Sequence, residues 1–184
     1  VPNMVYVWTG LAQAVGLRYY GIPGLGIPHT TGFNYIEPPE DQAWMRADEY
    51  DALIWMQDNI QGTPVVAESA AAPEYRSLRN RVPMYTGLPS ILGYNWHQKQ
   101  QRSILSSDVV DRRQADVNQL FSTTDTFAAW GLIRKYGVGY IIVGYPERLY
   151  YPQSGLAKFD LMEKAGQLRT VYQNEHVTLY EAVK

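Results

Sequence analysis

Val138-Gly-Tyr-Ile-Ile-Val143 is the stretch that most narrows what this chain can fold into. It is short, apolar and rich in β-branched residues, and Gly137 and Gly144 flank it. A run of this kind reads as a strand in the middle of a sheet, covered on both faces. A helix, Phe127 to Tyr136, is predicted just before it, with Thr123-Thr-Asp-Thr126 supplying oxygen acceptors for the free N–H groups of its first turn. Helix, glycine, buried strand, glycine is the order expected in a layered α/β domain.

The rest of the chain extends that reading. Residues 46 to 60 have helical spacing, with Tyr50, Leu53, Ile54 and Gln57 on one face. Asp48 and Glu49 fall in the first turns, where the helix dipole favours negative charge. Gly62 ends this helix, and Thr63 to Glu68 follows as a buried strand. Ser90 to Gly93 reads as a short apolar strand that breaks at Gly93 into a polar segment carrying Trp96 and His97. Asp108 to Phe121 is a further helix, and Gly155 to Ala165 another, with Leu156, Phe159 and Met162 at helical spacing. Residues 69 to 84 and Tyr145 to Tyr151 read as loops. Leu168 to Gln173 and His176 to Val183 alternate and are joined by Asn174-Glu175, which predicts an antiparallel hairpin at one sheet edge. The expected fold is a three-layer, Rossmann-like α/β domain over residues 46–184, with a mixed sheet of about five strands and a C-terminal antiparallel hairpin. Residues 1–45 are expected to form an extended N-terminal arm. Within them, Gly24 and Gly26 do not make a dinucleotide loop, because no strand clearly precedes them and Pro28 follows.

Bulk properties exclude several functions. A net charge of −2 gives no basic stripe for nucleic acid. With no cysteine, thiolate nucleophiles, disulfides and Cys-ligated zinc are ruled out. His29, His97 and His176 form no metal-spacing pattern, so no metal ligands are assigned. No run approaches the ~20 apolar residues of a membrane span. Because the chain opens on Val1-Pro2 without a signal-peptide pattern, it is expected to be a piece of a longer protein.

Candidate site residues collect where the predicted strands end, since open α/β sheets bind ligands beyond the carboxyl ends of their strands. Arg81, with Arg76 and Arg79 nearby, can hold a phosphate or carboxylate, or else sit in a solvated loop. Glu147 and Arg148 follow the central strand and read either as ligand contacts or as an internal ion pair. Tyr85, Trp96, Tyr150 and Tyr151 can stack on a sugar ring or pack the edge of the core. His97 can act as an acid–base group, contact substrate or make structural hydrogen bonds, with Glu68, Asp116 and Glu147 as the carboxylates able to orient it.

The run Tyr85-Thr-Gly-Leu-Pro-Ser-Ile-Leu-Gly93, followed by Trp96-His97, Gln100 and Arg102, resembles the soluble part of large polytopic membrane proteins of bacteria and archaea. These are the YYY (DUF2298-type) family, which is similar to the GT-C class of lipid-linked-sugar glycosyltransferases. Asp116 to Asp125, Tyr136 to Arg148 and Gly155 to Phe159 match in the same order, so the resemblance covers residues 46 to 183. The chain departs from the pattern at Ser90, Tyr94, Gln98 and Gln101, where Thr, Trp, an acid and Trp are expected. Gln98 matters most, because a His-Glu pair there could do acid–base or metal chemistry. The resemblance implies an extracytoplasmic domain at the cell membrane, partnered by a membrane-embedded part of the same polypeptide. The membrane part would hold the catalytic acids, the polyprenyl-phosphate sugar donor and any divalent metal. The piece itself is then not an enzyme and carries no cofactor. It implies substrate contact through Arg81, Tyr85, Trp96, His97, Gln100, Arg102, Glu147 and Arg148, with a glycan or polyprenyl-phosphate sugar as the partner. A stand-alone α/β enzyme or binding domain, or a scaffold, is the alternative; the enzyme version lacks a phosphate-cradling loop, since Ser-Ala-Ala-Ala-Pro follows Glu68.

Overall fold

The computed structural model describes residues 47–71, 79–101 and 108–183. These belong to one compact unit, Arg46–Lys184. The arm expected over residues 1–45 lies outside the described residues, as do Arg76 and Arg102. Helix α1 (Ala47–Asn59) leads into strand β1 (Val65–Ala67). Helices α2 (Arg81–Thr86), α3 (Asn95–Gln101), α4 (Asp108–Ser122) and α5 (Thr126–Tyr136) lead to β2 (Val138–Val143). Short helices α6 (Tyr145–Tyr150), α7 (Gln153–Leu156) and α8 (Lys158–Lys164) then precede the hairpin of β3 (Leu168–Gln173) and β4 (Thr178–Ala182).

The sheet runs β1-β2-β4-β3. β1 and β2 are parallel, with Ala67 opposite Ile141, and the other two pairings are antiparallel. Among the described residues it is a four-stranded mixed sheet, not one of about five strands. The expected Ser90–Gly93 strand shrinks to one parallel bridge, Ser90 to Val66. Pro89 has no N–H to extend a ladder; only its carbonyl joins, accepting from Val66 N at 2.8 Å. With a single parallel pair, the Rossmann-like expectation narrows to a mixed α/β sheet.

Alternation sorts the side chains to two faces. Ile141, Val143 and Tyr180 join Phe121, Ile133, Phe159 and Met162 in the main core under α4, α5 and α8. Fully burying each such side chain contributes about 1.5–3 kcal/mol. Ile142 and Leu179 are also buried but lie outside that cluster. On their side α1 buries Ala52, Leu53 and Met56, and Trp55 meets Tyr172 of β3 with ring centroids 5.4 Å apart. The buried stripe of α1 is therefore Glu49, Ala52, Leu53 and Met56, rotated from the expected one, with Ile60 buried just past the helix end as expected. Gln57 is exposed and donates to the Tyr85 carbonyl.

Local signals explain the element ends. Asp125 caps α5, its carboxylate accepting from Phe127 N at 2.8 Å and Ala128 N at 3.2 Å. Gly137 stops α5 in the left-handed region at φ 59°, which a side chain would oppose. Tyr145–Tyr150, expected as a loop, is helical: Pro146 suits a helix start, and the Glu147 side chain reaches back to accept from Gly144 N at 2.8 Å. The expected loop before residue 84 likewise contains α2. At the sheet edge, Glu163 Oε1 accepts from Thr170 N at 2.7 Å and the β3–β4 register shifts between Thr170 and Tyr172. Both features blunt the edge against further pairing. No helix among the described residues is long and apolar enough to cross a membrane.

Candidate functional site

The parallel strands deliver two carboxylates to their shared carboxyl edge. Glu68 follows β1 directly, and Glu147 sits in the first turn of α6, just beyond β2. Glu49 arrives from the first turn of α1 and Arg81 from the start of α2. Glu49, Arg81 and Glu147 are 0% exposed and Glu68 is 3% exposed. The guanidinium is the hub. Nη2 and Nη1 donate to the two Glu147 oxygens at 2.8 and 3.2 Å, and Nε donates to Glu49 Oε2 at 2.8 Å. Nη1 also lies 3.5 Å from Glu68 Oε2. Guanidinium is the cation whose planar fork can face several carboxylates at once.

The remaining carboxylate valence is spent on backbone. Ser69 N donates to Glu147 Oε1 at 2.6 Å, Val82 N to Glu68 Oε2 at 3.1 Å, and Tyr145 N to Glu49 Oε1 at 2.5 Å. The cluster thereby ties β1, α2, α1 and the β2–α6 turn together. Gly144 is required at that turn, because a Cβ there would overlap the Glu49 carboxylate. Of the cluster's side-chain oxygens, Glu68 Oε1 alone has no partner among the described residues.

Three carboxylates share one cation, so burial is incompletely offset. Burial pushes the Glu68 carboxyl up to about 7, against the pull of Arg81 and the Val82 N–H. Burial also raises Glu49, with Arg81 opposing and Glu147 reinforcing. For Arg81, burial alone would lower the guanidinium, but the three carboxylates outweigh it and hold the side chain firmly charged. The unpartnered Oε1 of Glu68 fits a carboxyl that retains its proton near neutrality. Every other strong group faces an opposite one inside the protein, so the cluster works as a clamp; a metal has no vacancy where the guanidinium sits.

The structure brings Arg81 and Glu147 together, but in the interior and away from any open rim. Glu147 pairs with Arg81 and not with its neighbour Arg148. Arg148 is exposed; its Nε donates to the His176 carbonyl at 3.2 Å, and it lines a cavity of about 260 Å³ between α6–α8 and the β3–β4 hairpin. At the β1 side, α2 and α3 form a separate corner. Trp96 is 57% exposed, and His97 and Gln100 are exposed. The His97 ring stands edge-on to Tyr94 at 6.1 Å. Tyr85 is partly buried on α2, and burial with Tyr94 nearby pushes its hydroxyl up to about 12. The carboxylates able to orient His97 are engaged elsewhere: Glu68 and Glu147 in the clamp, Asp116 with Lys135 at 2.5 Å and with the Tyr136 hydroxyl. Tyr151 belongs to the core, stacked on Phe121 at 5.1 Å and donating to Asn118 at 3.0 Å, whereas Tyr150 is exposed.

Sequence reasoning missed Glu49 as a site residue and considered Glu68 only as a partner for His97. Each had a readable signal: an acid within the apolar stripe of α1, and an acid closing a buried strand. Lys158 was also missed. It is 1% exposed, its Nζ donates to the Gly155 carbonyl at 2.6 Å and lies 4.0 Å from the Phe159 ring centroid, and burial lowers its ammonium to about 7. Among the described residues no group of three His, Asp or Glu side chains is placed to hold a metal ion.

No protein-family model matches the chain, and no curated protein matches it. Among solved structures, it is similar to the C-terminal globular domain of an oligosaccharyltransferase from Archaeoglobus fulgidus, at 12% identity and a TM-score of 0.48, over 77% of this chain and 100% of that one. A second structure, also a C-terminal globular domain of an oligosaccharyltransferase from that organism, aligns at 16% identity and a TM-score of 0.37, over 76% and 97% of the two chains.

Proposed function

We propose that this unit is a non-catalytic contact module: the extracytoplasmic accessory domain of a polytopic, glycosyltransferase-like membrane protein. In this reading the membrane-embedded part of the same polypeptide carries out transfer. The module shapes the site for an acceptor or a lipid-linked sugar through Tyr85, Trp96, His97 and Gln100 on the α2–α3 corner and through Arg148. The observation that carries the reading is the sealed clamp. The acids at the sheet's carboxyl edge, where an α/β enzyme would present its chemistry, are turned inward onto Arg81. What remains exposed on the corner is aromatic and amide surface suited to contact. The ordered motifs from Tyr85 to Phe159 supply the membrane context.

The test uses the full-length membrane protein carrying Trp96→Ala with His97→Ala. Sugar transfer should fall about ten-fold or more, as expected when an exposed contact residue of this type is removed, while expression and folding of the domain are unchanged. Transfer at the unaltered rate would overturn the reading, as would turnover of lipid-linked sugar by the isolated chain.

A further inference from the structure

We propose that the cavity beside Arg148 is a binding site for one neutral sugar ring. It deepens the contact-module reading by naming the ligand class, and rests on that reading only in taking the ligand to be a glycan unit. The cavity lies at the carboxyl end of β2. Its floor is the cross-strand set Val143, Thr178, Tyr180 and Thr170. One stripe of α7 and α8 forms the wall, with Gln153, Leu156, Asp160 and Glu163 at successive turns. At about 260 Å³ it is just below the ~300–1,000 Å³ of sites for drug-sized ligands, which suits a single ring.

Its lining is polar and open to solvent, with Arg148, Gln153, Asp160 and Gln173 exposed. Asp160 Oδ1 accepts from the Tyr180 hydroxyl at 2.7 Å and Glu163 Oε1 from Thr170 N, which fixes both carboxylates. Glu163 also takes the Thr170 side chain, whereas the second Asp160 oxygen, the Arg148 Nη atoms and the Gln153 and Gln173 amides have no hydrogen-bond partner among the described residues. Arg148 and the two acids line the same space, and among the described residues no ion pair joins them; the Arg148 Nε contact is to the His176 carbonyl. An apolar guest would strand these groups, at a cost for each. A phosphate would pair with Arg148 but meet two fixed carboxylates; a cation would meet the reverse. A sugar hydroxyl both donates and accepts, so it can bridge a carboxylate and a guanidinium or amide in one contact. A ring of such hydroxyls is the neutral ligand that satisfies this lining.

The full chain, labelled with nitrogen-15, is titrated with methyl glucoside, methyl mannoside, methyl galactoside and inorganic phosphate. At least one glycoside should give saturable amide shifts at Thr170, Gln173 and Thr178, and phosphate none. Asp160→Asn, which keeps an acceptor for Tyr180, and Arg148→Ala should each weaken that binding about ten-fold with the thermal midpoint unchanged. The proposal is overturned if no glycoside saturates there, if phosphate gives the same shifts, or if both variants bind as the parent does. That failure would leave the contact-module reading standing, because the latter is judged by transfer in the full-length protein. Conversely, saturable glycoside binding together with transfer indifferent to the α3 variants would sink the module and keep the cavity.

Discussion

Two arginines in this domain, Arg81 and Arg148, sit among carboxylates, and they do opposite things. Arg81 faces Glu49, Glu68 and Glu147 and is wholly enclosed. Arg148, one residue after Glu147, lines an open cavity with Asp160 and Glu163 and pairs with neither. The difference is geometric. Arg81 projects from the first position of α2, where three chain segments converge, so its fork is saturated by the fold itself. Among the described residues the Arg148 side chain is tethered only through Nε, on the turn carbonyl of His176, and its Nη donors face the open cavity. The same pair of residue types therefore yields a clamp in one place and a recognition surface in the other, and burial decides which.

The largest effect that would break this contrast is loss of the hub. Arg81→Met leaves three buried carboxylates without a cation and should destabilise the domain by about 3–5 kcal/mol, measured by urea unfolding at neutral pH. Arg81→Lys keeps the charge but not the fork, and should recover only part of that loss. If Arg81→Met unfolds like the parent, the clamp does not hold the carboxyl edge.

Next in size is the pH dependence of Glu68. Its carboxyl titrates near 7 in the folded state and near 4.5 when unfolded, so the folded state binds the extra proton between those values. Stability is then greatest below pH 4.5 as far as this group is concerned, and falls by about 3 kcal/mol as pH rises through 7. Glu68→Gln keeps an oxygen for Val82 N and Arg81 and should flatten that part of the stability curve. A Glu68→Gln curve that keeps the parent's slope between pH 4.5 and 7 would assign the effect elsewhere.

These effects could not have been read from sequence, although much of the frame could. β2, the Asp125 cap of α5, the buried Phe159 and Met162 of α8 and the β3–β4 hairpin all rest on neighbours within a few residues, where spacing and cap chemistry are local. The single helix expected over Gly155–Ala165, by contrast, divides at Ala157 into α7 and α8. The clamp joins residues 13, 32 and 66 positions from Arg81, and nothing at that range marks which acid meets which base. Ser90–Gly93 looked like a strand because its residues are apolar; Pro89 limits it to one bridge. The Tyr145–Tyr150 helix was legible in principle, from Pro146 at its start and Glu147 one position on, but its tyrosines and charges suggested a loop.

The smallest expected effect sharpens the contrast from the open side. Arg148→Ala removes an exposed side chain with one hydrogen bond to a turn, and should change stability by no more than about 0.5 kcal/mol. A loss comparable to that of Arg81→Met would mean that Arg148 is also part of the clamp.

The central claim is most directly tested by hydrogen exchange of the arginine side chains, followed by nitrogen-15 NMR at pH 8. Arg81, enclosed by three carboxylates, should show a sharp, slowly exchanging Nε–H signal that glycosides and phosphate leave in place, while the Nη signals of Arg148 exchange freely with water. Equal, fast exchange at both arginines, or an Arg81 signal that moves when ligand is added, would contradict a sealed clamp and return the sheet's carboxyl edge to the list of reactive surfaces.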